Sequence, residues 1–137
     1  MDLLARREHS ELELARKLAT RNFDPAVIAA TVSELVSEGL LDNARFAESF
    51  VHSRYQRGQG PLKIRAELRE RGIEDELVAA CLEDDELHWP ELAQQVREKR
   101  FGVDQPADYK ERTRQMWFLQ QRGFSGEQIR EVFREGE

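Results

Sequence analysis

A chain of 137 residues is the size of one ordinary domain, long enough to bury roughly two-thirds of the surface its unfolded form exposes. Hydrophobic residues make up 39% of it, too many for a disordered chain, and charged residues 35%, a load that suits a thin helical array better than a compact ball. A single cysteine, Cys81, excludes an internal disulfide and points to a reducing compartment; with no basic neighbour in sequence it reads as a buried structural thiol.

In chain order, residues 2–9 carry only Leu3, Leu4 and Ala5 as apolar content. Arg6, Arg7 and Glu8 interrupt the run that a signal peptide or membrane span needs. Ser10, followed three residues later by Glu13, is a capping box that starts a helix through Leu14 and Leu18 to about Arg21. Asp24 and Pro25 are the cap and first position of the next helix, whose stripe is Ile28, Val32, Leu35 and Val36. Gly39 suits a helix C′ position, Asp42 an N-cap, and Leu41 with Phe46 a hydrophobic staple. From there Phe46, Ala47, Phe50, Val51 and Tyr55 recur at helical spacing until about Arg57. Gly58 and Gly60 let the backbone turn, and Pro61 opens a helix with Ile64 and Leu68 inward. Pro90 opens another, running through Leu92 and Val96 to about Phe101, and residues 102–108 form the longest predicted loop. In the helix at 109–122, the run Met116, Trp117, Phe118, Leu119 is too wide for one stripe. Most of it is expected in the core, with Trp117 or Phe118 partly exposed.

The pattern repeats. Leu18, Arg21, Asn22, Phe23, Ile28 and Val32 return after 50 residues as Leu68, Arg71, Gly72, Ile73, Val78 and Leu82, and after 51 more as Leu119, Arg122, Gly123, Phe124, Ile129 and Phe133. The residue at 22, 72 and 123 suits a left-handed C′ conformation, with Phe23, Ile73 or Phe124 packing back on the helix just ended. Asp24 and Ser125 cap the helix that follows; Glu74 is a weaker cap, with Asp75 standing in. No segment alternates as a strand does. The expected fold is all-α: an elongated array of three tandem three-helix, helix-turn-helix-like repeats with eight or nine helices. The repeats span residues 1–41, 42–86 and 87–137, and the first has a shortened lead helix, which leaves either a missing contact near the N-terminus or a first repeat looser than the others.

Catalysis has little support. His9, His52 and His88 fall in different repeats, and His52 with Glu48 lacks a third ligand. The Gly58 to Pro61 turn lacks the lysine and hydroxyl residue of a phosphate loop, and Pro61 removes an amide donor. No catalytic residue, metal or cofactor is assigned. Sequence-specific DNA readout is disfavoured because residues 25–38 and 75–86 contain no basic residue. Charge is instead segmented: residues 42–73 hold seven basic against four acidic residues, a local +3, and residues 74–91 hold eight acidic and no basic ones. Arg54 and Arg57, three apart, and Arg65 and Arg69, four apart, form two outward basic rows, and Lys63 is a further basic residue beside them in sequence. These five residues are the candidate partner or DNA contacts, beside the plainer reading that they solvate the surface.

Residues 39–47 (Gly-Leu-Leu-Asp-Asn-Ala-Arg-Phe-Ala), Ser53-Arg54, Gly58-Gln59-Gly60-Pro61, Ile64, Glu67-Leu68 and Arg71-Gly72-Ile73 together resemble the signature of the RecX family, small bacterial regulators of the RecA recombinase. Arg7-Glu8-His9-Ser10, with Glu13-Leu14 and Lys17-Leu18, resembles that family's opening segment. The resemblance runs over essentially the whole chain. It implies a cytoplasmic, non-enzymatic modulator that binds the RecA filament on DNA, lies along its groove across successive subunits, and hinders ATP turnover, strand exchange, repressor cleavage or filament growth. On this reading the protein is a monomer with weak nonspecific DNA contact and no membrane association. A helical adaptor, or a weak DNA binder with a partner other than RecA, satisfies composition and periodicity equally well.

Overall fold

The computed structural model describes residues 7–134. These are all-α, with eight helices and no strand: α1 Glu11–Thr20, α2 Pro25–Ser37, α3 Asn43–Gln56, α4 Pro61–Glu70, α5 Asp75–Leu82, α6 Trp89–Phe101, α7 Tyr109–Gln121 and α8 Gly126–Val132. Most of the short apolar stretch at 2–9 lies outside the described residues. The chain divides into two compact units. One runs through Phe50 and takes in Glu67–Cys81; the other comprises Val51–Ala66 and the chain from Leu82 onward, so α3 and α4 each pass from one unit to the other.

The helix boundaries follow from local chemistry. Ser10 and Ser125 form capping boxes with Glu13 and Gln128, and Asp24 and Asp42 accept from the Ala26 and Ala44 amides. At the repeat positions Asn22, Gly72 and Gly123 all have positive φ, 65°, 80° and 101°. Each closes the same motif: the following amide reaches back to Leu18, Leu68 or Leu119, and its own to Ala19, Arg69 or Gln120. The helix α5 begins at Asp75, which is therefore not its cap; that carboxylate accepts from Arg69 Nε instead.

In the first unit Leu14, Leu18, Leu35 and Leu41 form a core, with Ile28 and Val32 packed against it. Leu41 and Phe46, the expected staple pair, are both buried. The helix α2 packs chiefly on α1, so a narrow strip of it is covered. Val36 stays 41% exposed and Phe23 48%, unlike Ile73 and Phe124, which are buried as the repeat predicted. Cys81 is half-buried rather than buried.

Just ahead of α1, His9 and Ser10 are 1% and 0% exposed. Lys17 can only donate, so the 2.9 Å contact makes His9 Nε2 an acceptor and fixes Nδ1 as the N–H that donates to the Arg7 carbonyl. His9 is therefore neutral: burial, then the Arg7 charge, hold it below its ordinary value. Glu13 gathers the segment, taking the Ser10 amide and the guanidiniums of Arg7 (3.1 Å) and Arg71 (3.4 Å). Burial pushes its carboxyl up, but the Arg7 and Ser10 hydrogen bonds and the two arginine charges outweigh this and leave it lowered.

The second unit is built on contacts of α6 with α8, α6 with α7, and α7 with α8. Ile64, Leu92, Ala93, Leu119, Phe124 and Val132 are buried in it. Tyr55 donates to the His88 carbonyl, and the Trp89 indole to that of Leu82, fixing the entry to α6. Arg97 is fully buried: its guanidinium bonds the carbonyls of Val103 and Asp104 and the Gln115 side chain, tying the 102–108 loop inward. The turn before α4 meets the turn after α7 backbone to backbone, with the Gly60 amide on the Arg122 carbonyl (2.8 Å) and the Leu62 amide on that of Gly123 (2.9 Å). A Cβ on Gly60 would lie 2.3 Å from the Gly123 carbonyl carbon.

Two outcomes follow. Gly60→Ala forces two backbones apart and is expected to cost at least about 2 kcal/mol in urea unfolding. Gly39→Ala, strained only by its φ of 75° with open space around it, should cost about 1 kcal/mol; equal costs would disprove the close-approach account. Because His9 and Glu13 have folded pKa values below their unfolded ones, both contribute stability above 6.5 and 4.5 respectively, lost as pH falls through the folded values. Stability is thus expected to fall in two stages on acidification. In His9→Gln the stage beginning below pH 6.5 should vanish; its persistence would contradict the tautomer assignment.

Candidate partner-binding site

Within the second unit three helices end near one another, α3 at Gln56, α6 at Phe101 and α7 at Gln121. Between these ends lies a cleft of about 550 Å³ lined by Arg57, Lys99, Arg100, Arg122 and the apolar Leu92 and Phe118, with no carboxylate among its lining residues. Basic residues at helix C-termini answer the partial negative charge there, roughly half a charge per helix. Three such ends supply about −1.5 against four cations, so the cations outweigh the helix ends they answer.

Two of the cations, Arg122 and Arg100, are held in place. Arg122 Nη2 donates to the Arg57 carbonyl at 2.6 Å, while its Nε is buried with no acceptor. Arg100 lies 5.7 Å from the Phe118 ring centre and 5.8 Å from that of Phe101, two rings packed edge to face. Gly58 makes the closure possible, since a Cβ there would stand 2.8 Å from Val96 Cγ2. Three guanidiniums, two of them held, together with an ammonium suit phosphate or carboxylate groups.

Of the five residues singled out from sequence, only Arg57 lines this cleft. Arg54 is half-buried one turn earlier on α3. Lys63 and Arg65 lie on α4 in the same unit; Lys63 is exposed, its Cβ packed where Gly123 has no side chain, and Arg65 is half-buried. Arg69 belongs to the other unit, where it pairs with Asp75 at 2.8 Å in an exposed ion pair worth at most about 1 kcal/mol. Lys99, Arg100 and Arg122 were not among the sequence candidates. The signal was the repeat: Arg122 recurs from Arg21 and Arg71, and Lys99 with Arg100 closes a helix. A charge tally confined to residues 42–73 passed over all three.

Among the described residues no three His, Cys, Asp or Glu side chains stand close enough to hold a metal ion. No helix among them is long and apolar enough to cross a membrane.

Comparison with known proteins gives one family throughout. Residues 1–35, 42–82 and 90–133 match the models of the first, second and third three-helix domains of RecX. The regulatory protein RecX of Halorhodospira halophila is 53% identical over 128 residues, covering 93% of this chain and 80% of that protein. Its counterpart in Pseudomonas syringae pv. tomato is 45% identical over 124 residues, covering 90% and 80%. The crystal structure of RecX from Lactobacillus salivarius matches with a TM-score of 0.80 over 98% of this chain and 89% of that one; at 23% identity this likeness concerns the fold.

Proposed function

Because the chain belongs to the RecX family of regulatory proteins, we propose that its partner is the RecA recombinase assembled on DNA, and that binding lowers ATP turnover, strand exchange and repressor cleavage by the filament. It works by binding, not catalysis, as a cytoplasmic monomer. The three repeats, at 1–41, 42–86 and 87–137, lie along the filament groove and touch more than one RecA subunit. Spreading modest contacts over successive subunits favours the assembled filament over the free recombinase, since each further contact is made at high effective concentration.

The observation that carries this reading is the carboxylate-free cleft of Arg57, Lys99, Arg100 and Arg122, a positive surface in a chain whose formal net charge is −6. A filament on DNA presents phosphates and acidic side chains, and cations facing them release condensed counterions. Arg54, Lys63 and Arg65 add to the positive surface of the second unit, whereas Arg69, in the first, is already paired with Asp75. Contact with bare DNA is weak and independent of sequence, since phosphates carry no base information.

Replacing Arg57, Lys63, Arg65, Lys99 and Arg100 with alanine is expected to weaken filament binding at least about tenfold in low salt and to flatten its dependence on salt. Arg122 is left in place because it supports the Arg57 backbone. An unchanged affinity and an unchanged salt slope in this variant, with its melting temperature preserved, would rule out the basic surface as the contact.

A further inference from the structure

The helix α7 presents two apolar faces. One, with Leu119 at 0% exposure and Gln115 at 3%, enters the core; the other carries Tyr109, Thr113, Met116 and Trp117 along the wall of a separate groove of about 740 Å³. This second stripe accounts for the apolar width of residues 116–119. Positions 109, 113, 116, 117 and 120 span about three helical turns, or ~16 Å. Phe124 and Ile129, nearly buried, also line the groove, as does Leu62 from the start of α4. None of the described residues covers it: Trp117 is 61% exposed, Tyr109 84% and Leu62 47%. An open strip of large apolar side chains this long is the complement of another helix's apolar face.

Two cations, Arg112 and Arg130, line the groove, and no carboxylate does. Arg112 is steadied by the Phe133 ring, 5.6 Å from its guanidinium carbon. We propose that this groove is a docking site for an acidic amphipathic helix of a partner protein, about three turns long, whose apolar anchors fill the space beside Trp117 and Met116 and whose carboxylates meet Arg112 and Arg130. The site is distinct in chemistry and position from the basic cleft and does not depend on which partner that cleft meets.

Other occupants fit less well. Single-stranded nucleic acid would stack bases on Trp117 and Tyr109 but lay a phosphate per nucleotide along the groove, whereas only two cations line it and Leu62, Met116 and Ile129 offer no stacking face. A second copy of this chain offers the acidic helix α5, but Val78 and Leu82 on that helix are 1% and 6% exposed and so already committed to their own fold.

The test uses the full chain and a fluorescein-labelled synthetic helix of about fourteen residues, with leucines at i, i+3, i+4 and i+7 and glutamates and alanines elsewhere. Saturable binding with a blue shift of Trp117 emission is expected, and about tenfold weaker binding of a scrambled peptide of the same composition. The double variant R112E/R130E should weaken the glutamate peptide about tenfold and strengthen a lysine version. Trp117→Ala should weaken both; if that variant does not fold, the charge reversal decides alone. Equal binding of the scrambled peptide, indifference to the arginine reversal, displacement of the peptide by oligo-dT, or self-association abolished by Trp117→Ala would each overturn the proposal.

Discussion

Two backbones meeting with no side chain between them is the constraint on which the second unit depends. The Gly60 and Leu62 amides donate to the Arg122 and Gly123 carbonyls, and the approach is possible because neither Gly60 nor Gly123 carries a Cβ. A contact of this kind tolerates almost no displacement, because hydrogen bonds between main chains weaken steeply with distance and angle. It sets the corner between α3 and α4 against the turn between α7 and α8. The same corner places Arg57 beside Arg122 in the basic cleft and Leu62 at the wall of the apolar groove. Both the basic cleft and the apolar groove thus rest on one crossing.

The recurring arginine ahead of each left-handed turn shows how one repeat position acquires different work. Arg71 donates to the Glu67 carbonyl, lies 4.9 Å from the Phe50 ring centre and pairs with Glu13, so its charge is spent inside its own unit. Arg122 reaches a backbone carbonyl and leaves its positive charge in a cleft without a carboxylate. The difference is the neighbouring acid: Glu13 has no counterpart at Arg122. With a formal net charge of −6 the molecule as a whole repels polyanions. The proposed attraction to a filament is therefore a local one, and screening over about 8 Å at physiological salt lets a concentrated basic cleft act apart from acidic residues beyond that range.

The helices and their ends were legible in the sequence because the signals are local. A capping serine three residues before a glutamate, a proline at a first turn, and a glycine or asparagine at C′ each fix geometry within one turn of chain, as Ser10, Pro25 and Gly72 do. The width of the apolar run at 116–119 was legible too, although not that it marks two separate faces. What was not legible depends on side chains from distant positions. The alternation of Phe23, exposed, with Ile73 and Phe124, buried, cannot be read from a repeat that treats the three as equivalent. Nor can the gathering of Arg57 with Lys99, Arg100 and Arg122, which belong to different helices and meet only because of the glycine crossing. Arg97 gave no sign in sequence of being the most enclosed cation in the described chain, since the carbonyls of Val103 and Asp104 that satisfy it sit in an irregular loop.

The central claim is that this chain regulates a RecA filament by binding along it. The most direct measurement is the ATPase rate of the cognate RecA on single-stranded DNA, with and without this protein well below one copy per RecA subunit, at two salt concentrations. The account predicts a clear fall in rate at substoichiometric levels that diminishes as salt rises. An unchanged rate, with the filament formed and this protein folded, would contradict it.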